Sequence, residues 1–295
     1  MLDAGLIDGV QTKSAFRKVH YKGKVDDFAD VLPDVKDDAP HGIMKKPRTV
    51  GSANQALHHL VYEQTKAGRF ALNVGGDHSI AMGTVSGVAR GIRERLNKEI
   101  AVIWIDAHAV RRFCCAVFCP QARTRSACCG PTIKSRSDSR GLMAARQDIN
   151  TPETTDTGNI HGMPLAFLLG IVRDGVKVPG FEWMTQPWLR PEKLVYIGLR
   201  DVDAGERALL KEHKIKAYSM HEVDQWGIAK VVEMAIQHVS PDGQTPIHLS
   251  YDVDALDPKF TPSTGTLCLS VLSAVICLCI DHVHRSNDTV RLSVA

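Results

Sequence analysis

Residues 100–109 read IAVIWIDAHA, six consecutive apolar residues followed by Asp106 and, two positions later, His108. A short apolar run of this length is typical of a strand that is buried on both faces of a sheet. Alternate residues of an extended chain point to the same side. Asp106 and His108 are therefore predicted to share one face at the end of this strand.

The same arrangement occurs at two other places in the chain. His78 follows the apolar run 70–74 (FALNV) within the motif GGDHS, and Asp252 and Asp254 follow the run 247–251 (IHLSY). In parallel sheets, ligands bind at the carboxyl ends of the strands, so these donors are predicted to meet at one edge. Carboxylates mixed with imidazoles, without sulfur, suit Mn²⁺ or a similar divalent ion better than a structural zinc site.

Each of these residues also has a simpler interpretation when it is taken alone. A single Asp after a strand is usually a helix N-cap or a turn residue, and a single His is more often structural than a ligand. The coincidence of three strand ends favours the metal site.

The pattern of apolar residues predicts an α/β fold. Helical spacing is present in four segments (52–67, 80–96, 204–213 and 227–239), and short apolar runs predict five strands (70–74, 100–105, 194–199, 215–219 and 247–251). This alternation indicates a three-layer α/β/α architecture with a mostly parallel sheet. We expect one domain over residues 1–295.

The composition, with 44% hydrophobic and 23% charged residues, is that of a globular protein. No apolar run reaches the roughly 18 residues of a membrane helix, and the opening residues do not resemble a signal peptide, so we expect a cytoplasmic protein without a membrane partner.

Residues 110–147 differ from the rest of the chain. They hold eight Lys or Arg residues and one Asp, a charge of +7, which leaves 3 − 7 = −4 for the remainder. They also hold five of the eight cysteines, and the other three lie within 268–279. The clustering argues against a disulfide framework, and the spacing is not that of a zinc site. With few aromatic residues interleaved, the tract does not predict nucleic-acid binding. We interpret it as an unstructured insertion.

Five motifs, taken in order, resemble those of the ureohydrolase superfamily, and most closely fungal-type arginases: GGDHS, IDAHA, DINTPETTDTGNIHGMP, YIGLRDVD and SYDVDALDPKFTPSTGT. The resemblance covers residues 1–109 and 148–266. Joining Ala109 directly to Asp148 restores the continuous family motif DAHADINTPETT.

The resemblance implies two Mn²⁺ ions bridged by a hydroxide that attacks the guanidinium carbon of L-arginine, yielding L-ornithine and urea. One ion would be held by His78, Asp106, Asp148 and Asp252. The other would be held by Asp106, His108, Asp252 and Asp254. His161 matches the family's proton-shuttle histidine, and Asp148 is the further catalytic position.

The resemblance also implies how the substrate is chosen. Asn150, Thr157 and Asn159 match the positions that hold the α-carboxylate in arginases, and Asp203 matches the one near the α-amino group. Agmatinases, whose substrate lacks the carboxylate, do not usually carry this arrangement, so the motif favours arginase over agmatinase. The family is homo-oligomeric.

The chain departs from the family at three places. The family's N-terminal strand has no counterpart, residues 110–147 interrupt the metal motif, and residues 267–295 form a tail that resembles no family segment. The family's glutamate that meets the guanidinium lies in the replaced part. We therefore expect a sheet that lacks family strands at both ends.

These departures predict weak or no activity and a tendency to aggregate. Val110-Arg111 can be encoded by GTNAGA, a plausible splice donor, and Gln147 by CAG, an acceptor. These junctions and the clustering of the cysteines lead to the hypothesis that both foreign segments are translated intron. The alternatives are another ureohydrolase, such as an agmatinase, or a catalytically dead splice or gene-model product.

Overall fold

The computed structural model describes residues 28–34, 37–106, 148–200, 202, 204–255 and 291–294. The chain divides into two compact units, Met1–Asp30 and Val31–Ala295. Of the first unit only residues 28–30 are described, so the prediction of one domain over the whole chain stays a prediction. Everything below concerns the second unit.

The second unit is built on a parallel sheet. Its described strands are β1 (Leu72–Val74), β2 (Ala101–Ile105), β3 (Leu194–Leu199), β4 (Lys216–Ser219), β5 (Ile247–Tyr251) and β6 (Arg291–Val294). Their order is β1-β6-β5-β2-β3-β4, and each neighbouring pair is parallel. β2, β3 and β5 are buried along their whole length because they lie inside the sheet.

The described helices of this unit are α1 (Pro47–Lys66), α2 (Ala81–Leu96), α3 (Pro164–Leu168), α4 (Ala204–Glu212), α5 (Met220–Trp226) and α6 (Ile228–Val239). Among the described residues, no helix has both the length and the apolar character needed to cross a membrane.

Helices cover both faces of the sheet. Val102 and Trp104 of β2 belong to one apolar core, together with residues of α1, α2 and α3. Ala101 and Ile103 point the other way and pack in a second core with residues of α5 and α6. This alternation is the period of two that a strand imposes on its side chains. The predicted three-layer α/β/α fold is confirmed.

The tail, which resembles no family segment, contributes a strand that the sequence analysis did not predict. Arg291–Val294 forms β6 and pairs on one side with β1 and on the other with β5. A parallel strand that is left without a neighbour exposes a row of backbone donors and acceptors, and any short extended segment of suitable register can satisfy them. The position beside the strand that leads to His78 is therefore occupied.

Candidate metal centre

Three strands deliver the predicted ligands to one edge of the sheet. Asp106 follows β2 directly, and Asp252 follows β5. The backbone amide of Asp252 donates to the carbonyl of Ile105 (2.9 Å). This hydrogen bond fixes the register of β2 and β5 at their carboxyl ends. His78 follows β1 and begins a short 3-10 helix, where the preceding Asp77 is the N-cap and accepts a hydrogen bond from the amide of Ser79.

The imidazole of His78 is the centre of the cluster. Its Nδ1 lies 3.4 Å from Oδ2 of Asp106, 3.4 Å from Oδ2 of Asp148 and 3.2 Å from Oδ2 of Asp252. His78, Asp106 and Asp148 are buried, and Asp252 is half-buried. Asp148 reaches the cluster from a loop, where its carbonyl accepts a hydrogen bond from the amide of Leu165 (2.8 Å).

These spacings suit a divalent cation. Ligand atoms bound about 2.0–2.6 Å from such an ion lie about 2.8–3.7 Å apart when they occupy adjacent octahedral positions. The distances from Nδ1 of His78 to the three carboxylates fall in this range. His78, Asp106 and Asp252 each offer a ligand atom within 4.8 Å of the others.

The electrostatics of the cluster also favour a cation. Burial alone would lower the pKa of His78, but the charge of Asp148 and hydrogen bonding with Asp106 and Asp252 raise that pKa well above its usual value. Burial and the neighbouring Asp106 carboxylate raise the pKa of Asp148 well above its ordinary value. Both shifts arise because several carboxylates share a buried space, and a bound cation would neutralise their repulsion.

Two further side chains orient the ligands. Ser250 Oγ lies 3.1 Å from Nε2 of His78, on the side of the ring opposite the carboxylates. The indole Nε1 of Trp104 donates to Oδ2 of Asp148 at 2.9 Å and lies 3.4 Å from Oδ2 of Asp106. Fixing a ligand through its second hydrogen-bonding position is usual in protein metal sites.

Asp254 lies beside these residues at the end of β5. Its side chain is buried, and its backbone amide donates to Oδ1 of Asp252 (2.9 Å). The guanidinium of Arg200 donates hydrogen bonds to the carbonyls of Asp254 (2.7 Å) and Ala255 (3.2 Å) in this turn. His108, the remaining predicted ligand, lies outside the described residues, as does Asp203.

His161, the predicted proton shuttle, lies in a short 3-10 helix at Ile160–Gly162. Its Nδ1 is 3.3 Å from Oδ2 of Asp77, and its side chain is partly exposed. Burial alone would raise the pKa of Asp77, but hydrogen bonds from His161 and Ser79 lower it to about 2. Asp77 is therefore ionised at neutral pH and orients the imidazole of His161.

The three residues predicted to bind the α-carboxylate of the substrate lie on the loop between Asp148 and His161. The amide of buried Asn150 donates to the carbonyl of Gly162 (3.0 Å), and its Oδ1 accepts from Thr154. Thr157 and Asn159 are half-buried, and the amide of Asn159 donates to Oγ1 of Thr157 (3.2 Å).

Gly158, between Thr157 and Asn159, fixes the path of this loop. It has φ +70°, and a Cβ built on it would lie 1.9 Å from the carbonyl oxygen of Ile43. Glycine alone fits there, because other residues would meet both backbone strain and a clash.

Comparison with known proteins identifies the family to which these motifs belong. The sequence model of the Arginase family matches residues 10–111 and 143–270. The arginase of Coccidioides immitis is 48% identical over 268 residues, which are 90% of this chain and 69% of that protein. This chain belongs to the arginase family. A second fungal member, the arginase of Emericella nidulans, is 42% identical over 299 residues, which span 100% of this chain and 78% of that protein.

Solved arginase structures share the fold. The cold-adapted arginase of the psychrophilic yeast Glaciozyma antarctica superposes with a TM-score of 0.66 at 35% identity, covering 99% of this chain and 80% of that chain. The arginase of Bacillus caldovelox superposes with a TM-score of 0.65 at 31% identity, and the match covers 87% of this chain and 70% of that chain. This arginase-family member therefore has the family's architecture, and the family model passes over residues 112–142, inside the tract with the foreign composition.

Sequence reasoning did not assign roles to Trp104, Ser250, Asp77 or Arg200. A signal for the first two was present, because each lies two positions before a ligand, Asp106 or Asp252, and so points to the same side of its strand. The contacts of Asp77 and Arg200 depend on the folding of distant loops, and no spacing in the sequence predicts them.

Proposed function

We propose that this arginase-family chain is a binuclear manganese hydrolase that converts L-arginine and water to L-ornithine and urea. The observation that carries the proposal is the buried cluster in which Nδ1 of His78 lies 3.2–3.4 Å from three carboxylates. The relatives from Coccidioides immitis and Emericella nidulans, which are 48% and 42% identical to this chain, are arginases. The donor set of imidazole and carboxylate suits Mn²⁺.

The first ion would be held by His78, Asp106, Asp148 and Asp252. The second would be held by His108 and Asp254, with Asp106 and Asp252 shared between the two ions. When bound, such a pair lowers the pKa of a water molecule and so supplies a nucleophile near neutral pH.

His161 would move the proton that the reaction requires. Cleavage of the Cζ–Nε bond of arginine leaves the nitrogen on the ornithine side as an amine that must gain a proton. Because Asp77 accepts at Nδ1 of His161, it favours the tautomer with the proton on Nδ1 and leaves Nε2 to exchange protons with substrate or solvent.

The loop that carries Asn150, Thr157 and Asn159 would bind the α-carboxylate of arginine, with Asp203 near the α-amino group. Amide and hydroxyl donors can hydrogen-bond a carboxylate without adding charge to the site. Hydrogen bonds within the loop hold the side chains of Asn150 and Thr157 before the substrate arrives, which reduces the entropic cost of binding.

We further propose that the activity of this chain is weak. Residues 110–147 lie between Asp106 and Asp148 in the sequence, and looping out such a segment costs on the order of 3 kcal/mol. Metal binding can contribute more than this, by analogy with structural zinc sites at about 10 kcal/mol or more. The site can therefore form, while the family's guanidinium-binding glutamate has no identified replacement.

The test is a urea assay on the purified chain with Mn²⁺, run with L-arginine and with agmatine, alongside measurement of bound manganese. We expect close to two ions per chain and slow urea release from arginine only. The variant Asp252→Asn should lose both the bound manganese and the urea release, because Asp252 would be shared by the two ions.

Three other outcomes would contradict parts of this proposal. Urea release from agmatine instead of arginine would indicate an agmatinase. Two bound ions with no urea would indicate a catalytically dead product, and urea release at rates typical of the family would contradict impairment.

A further inference from the structure

Asp148 joins the metal cluster from a distant part of the chain. Asp106 and Asp148 are 148 − 106 = 42 positions apart in sequence, yet both have Oδ2 3.4 Å from Nδ1 of His78. The hydrogen bond from Leu165 to the carbonyl of Asp148 fixes its backbone but leaves the carboxylate free to rotate. A second contact must therefore aim the carboxylate at the site.

We propose that Trp104 is the positioning residue that holds Asp148 in the metal centre and compensates for the interruption by residues 110–147. Its Nε1 donates to Oδ2 of Asp148 at 2.9 Å, across 44 positions of sequence. This proposal rests on the proposed metal-binding function and adds to it a residue that does not itself bind the metal.

The location of Trp104 makes it a rigid support. It lies in β2, between β5 and β3, and its side chain is fully buried. Its ring stacks on the imidazole of His78, with centroids 4.3 Å apart and an interplanar angle of 15°. It also packs against Tyr196, with centroids 6.3 Å apart and the rings tilted by 59°. The indole cannot turn away from Asp148 without disturbing these neighbours.

One side chain thus contacts three candidate ligands. Besides Asp148 and His78, the indole Nε1 lies 3.4 Å from Oδ2 of Asp106. Asp106 follows β2 directly and His78 begins the 3-10 helix after β1, so regular structure positions both, whereas Asp148 lies on a loop. The indole hydrogen bond should therefore matter most for Asp148, and more in a chain that carries the insertion than in one that does not.

The first experiment compares Trp104→Phe with Trp188→Phe. Phenylalanine keeps an aromatic ring but removes the indole N–H. Trp188 is an apt control because it is also buried, lies in the same apolar core, and its Nε1 has no hydrogen-bond partner among the described residues. Calorimetric titration with Mn²⁺ alone gives the affinity, and thermal unfolding without metal gives the stability. We expect about 10- to 100-fold weaker Mn²⁺ binding for Trp104→Phe and unchanged binding for Trp188→Phe.

The second experiment repeats the titration in a chain that lacks residues 110–147, with Ala109 joined to Asp148. There the short connection restricts Asp148, so Trp104→Phe should weaken Mn²⁺ binding by less than tenfold. An equal loss in both backgrounds would overturn the compensating role. Equal Mn²⁺ affinity of Trp104→Phe and the unaltered full chain would overturn the positioning role itself. If the full chain bound no Mn²⁺, the proposed function would fail as well.

A folding failure of Trp104→Phe remains informative. If the variant is unfolded in the full chain but folds and binds Mn²⁺ once residues 110–147 are removed, the compensating role is supported. If it is unfolded in both backgrounds, Trp104 is a general core residue and the proposal is overturned.

Discussion

Oγ of Ser250 lies 3.1 Å from Nε2 of His78, while Nδ1 of the same ring faces the carboxylates. The serine is buried in β5, two positions before Asp252. Nε2 of His78 is thereby hydrogen-bonded to a residue of the sheet, and Nδ1 is directed at the metal centre. The orientation of the ring and its tautomer both depend on this contact.

Replacing Ser250 with Ala should therefore weaken Mn²⁺ binding about tenfold or more, because the imidazole loses the partner that fixes its orientation. Titration with Mn²⁺ measures the effect. Ser240→Ala is the matched control, since Ser240 is also buried and hydrogen-bonded but lies after α6, where it accepts from the amide of Thr245. Equal Mn²⁺ affinities for the two variants would contradict the assigned role.

The stability of the protein should fall in acid because of His58. This residue is buried in α1, with Nδ1 2.7 Å from Oγ of Ser86. Burial, helped by the charges of His59 and Arg90, lowers the pKa of His58 from 6.5 to about 4. The unfolded chain therefore binds a proton more readily than the folded one between these two values. About 3 kcal/mol of stability should be present above pH 6.5 and lost as the pH falls to 4.

The measurement is urea-induced unfolding of the metal-free protein at several pH values. His58→Gln should show a shallower decline between pH 6.5 and pH 4 than the unaltered chain, because the group that takes up the proton is gone. His59→Gln, which changes an exposed histidine of the same helix, should retain most of the decline. Parallel curves for His58→Gln and the unaltered chain would rule out this origin.

Helices α1 and α2 pack closely because of glycines on α2. A Cβ at Gly87 would lie 2.7 Å from the carbonyl oxygen of His58, and one at Gly83 would lie 2.6 Å from that of Asn54. Gly87→Ala should destabilise the protein by about 1–3 kcal/mol through overpacking, although alanine alone favours a helix by about 1 kcal/mol. Gly76→Ala, where nothing lies within 4 Å, is the control. An unchanged urea midpoint for Gly87→Ala would show that the helices can separate at little cost.

Strand β1 should promote self-association. It is the last strand at its end of the described sheet, and Leu72 and Val74 are 43% and 48% exposed. Exposed apolar edge strands are sites of intermolecular pairing, and a lysine there opposes it. Leu72→Lys should therefore reduce light scattering of the concentrated protein. Val176→Lys, which changes a 40% exposed residue away from the sheet, should leave the scattering unchanged, and equal effects of both variants would indicate that charge alone matters.

The buried strands β2, β3 and β5 could be predicted from the sequence, because each of them is a short, largely apolar run. The strands 194–199 and 247–251 match β3 and β5, because continuous apolar runs between polar residues have few alternatives. Helix α1 begins at Pro47, five positions before the predicted start, because proline is well tolerated in the first helical turn and Lys46 precedes it with φ 49°. The short helix α5 was missed, although its Ser219–Glu222 capping box was a readable signal.

Other features depended on pairing across the chain. Nothing in the four residues of β6 indicates that they lie between β1 and β5, because strand order is set by the whole sheet. The ligands Asp106 and Asp252 could be predicted from the strands that precede them. The indole contact of Trp104 with Asp148 could not, since it joins a strand to a loop far along the sequence.

Removing residues 110–147 should stabilise the chain. The 147 − 109 = 38 residues lie between two ligands that meet at His78, and closing a loop of this length costs about 3 kcal/mol. With Ala109 joined to Asp148, we expect the free energy of unfolding to rise by about 1–3 kcal/mol in the metal-free protein, since part of the cost remains in the short loop. Urea-induced unfolding measures this free energy.

The control is a chain in which residues 110–147 are replaced by a Gly/Ser segment of equal length. Its free energy of unfolding should equal that of the unaltered chain, because the cost of closing the loop depends on the length of the loop. If that replacement proved much less stable than the unaltered chain, the tract would make stabilising contacts of its own, and its interpretation as a translated intron would lose its support.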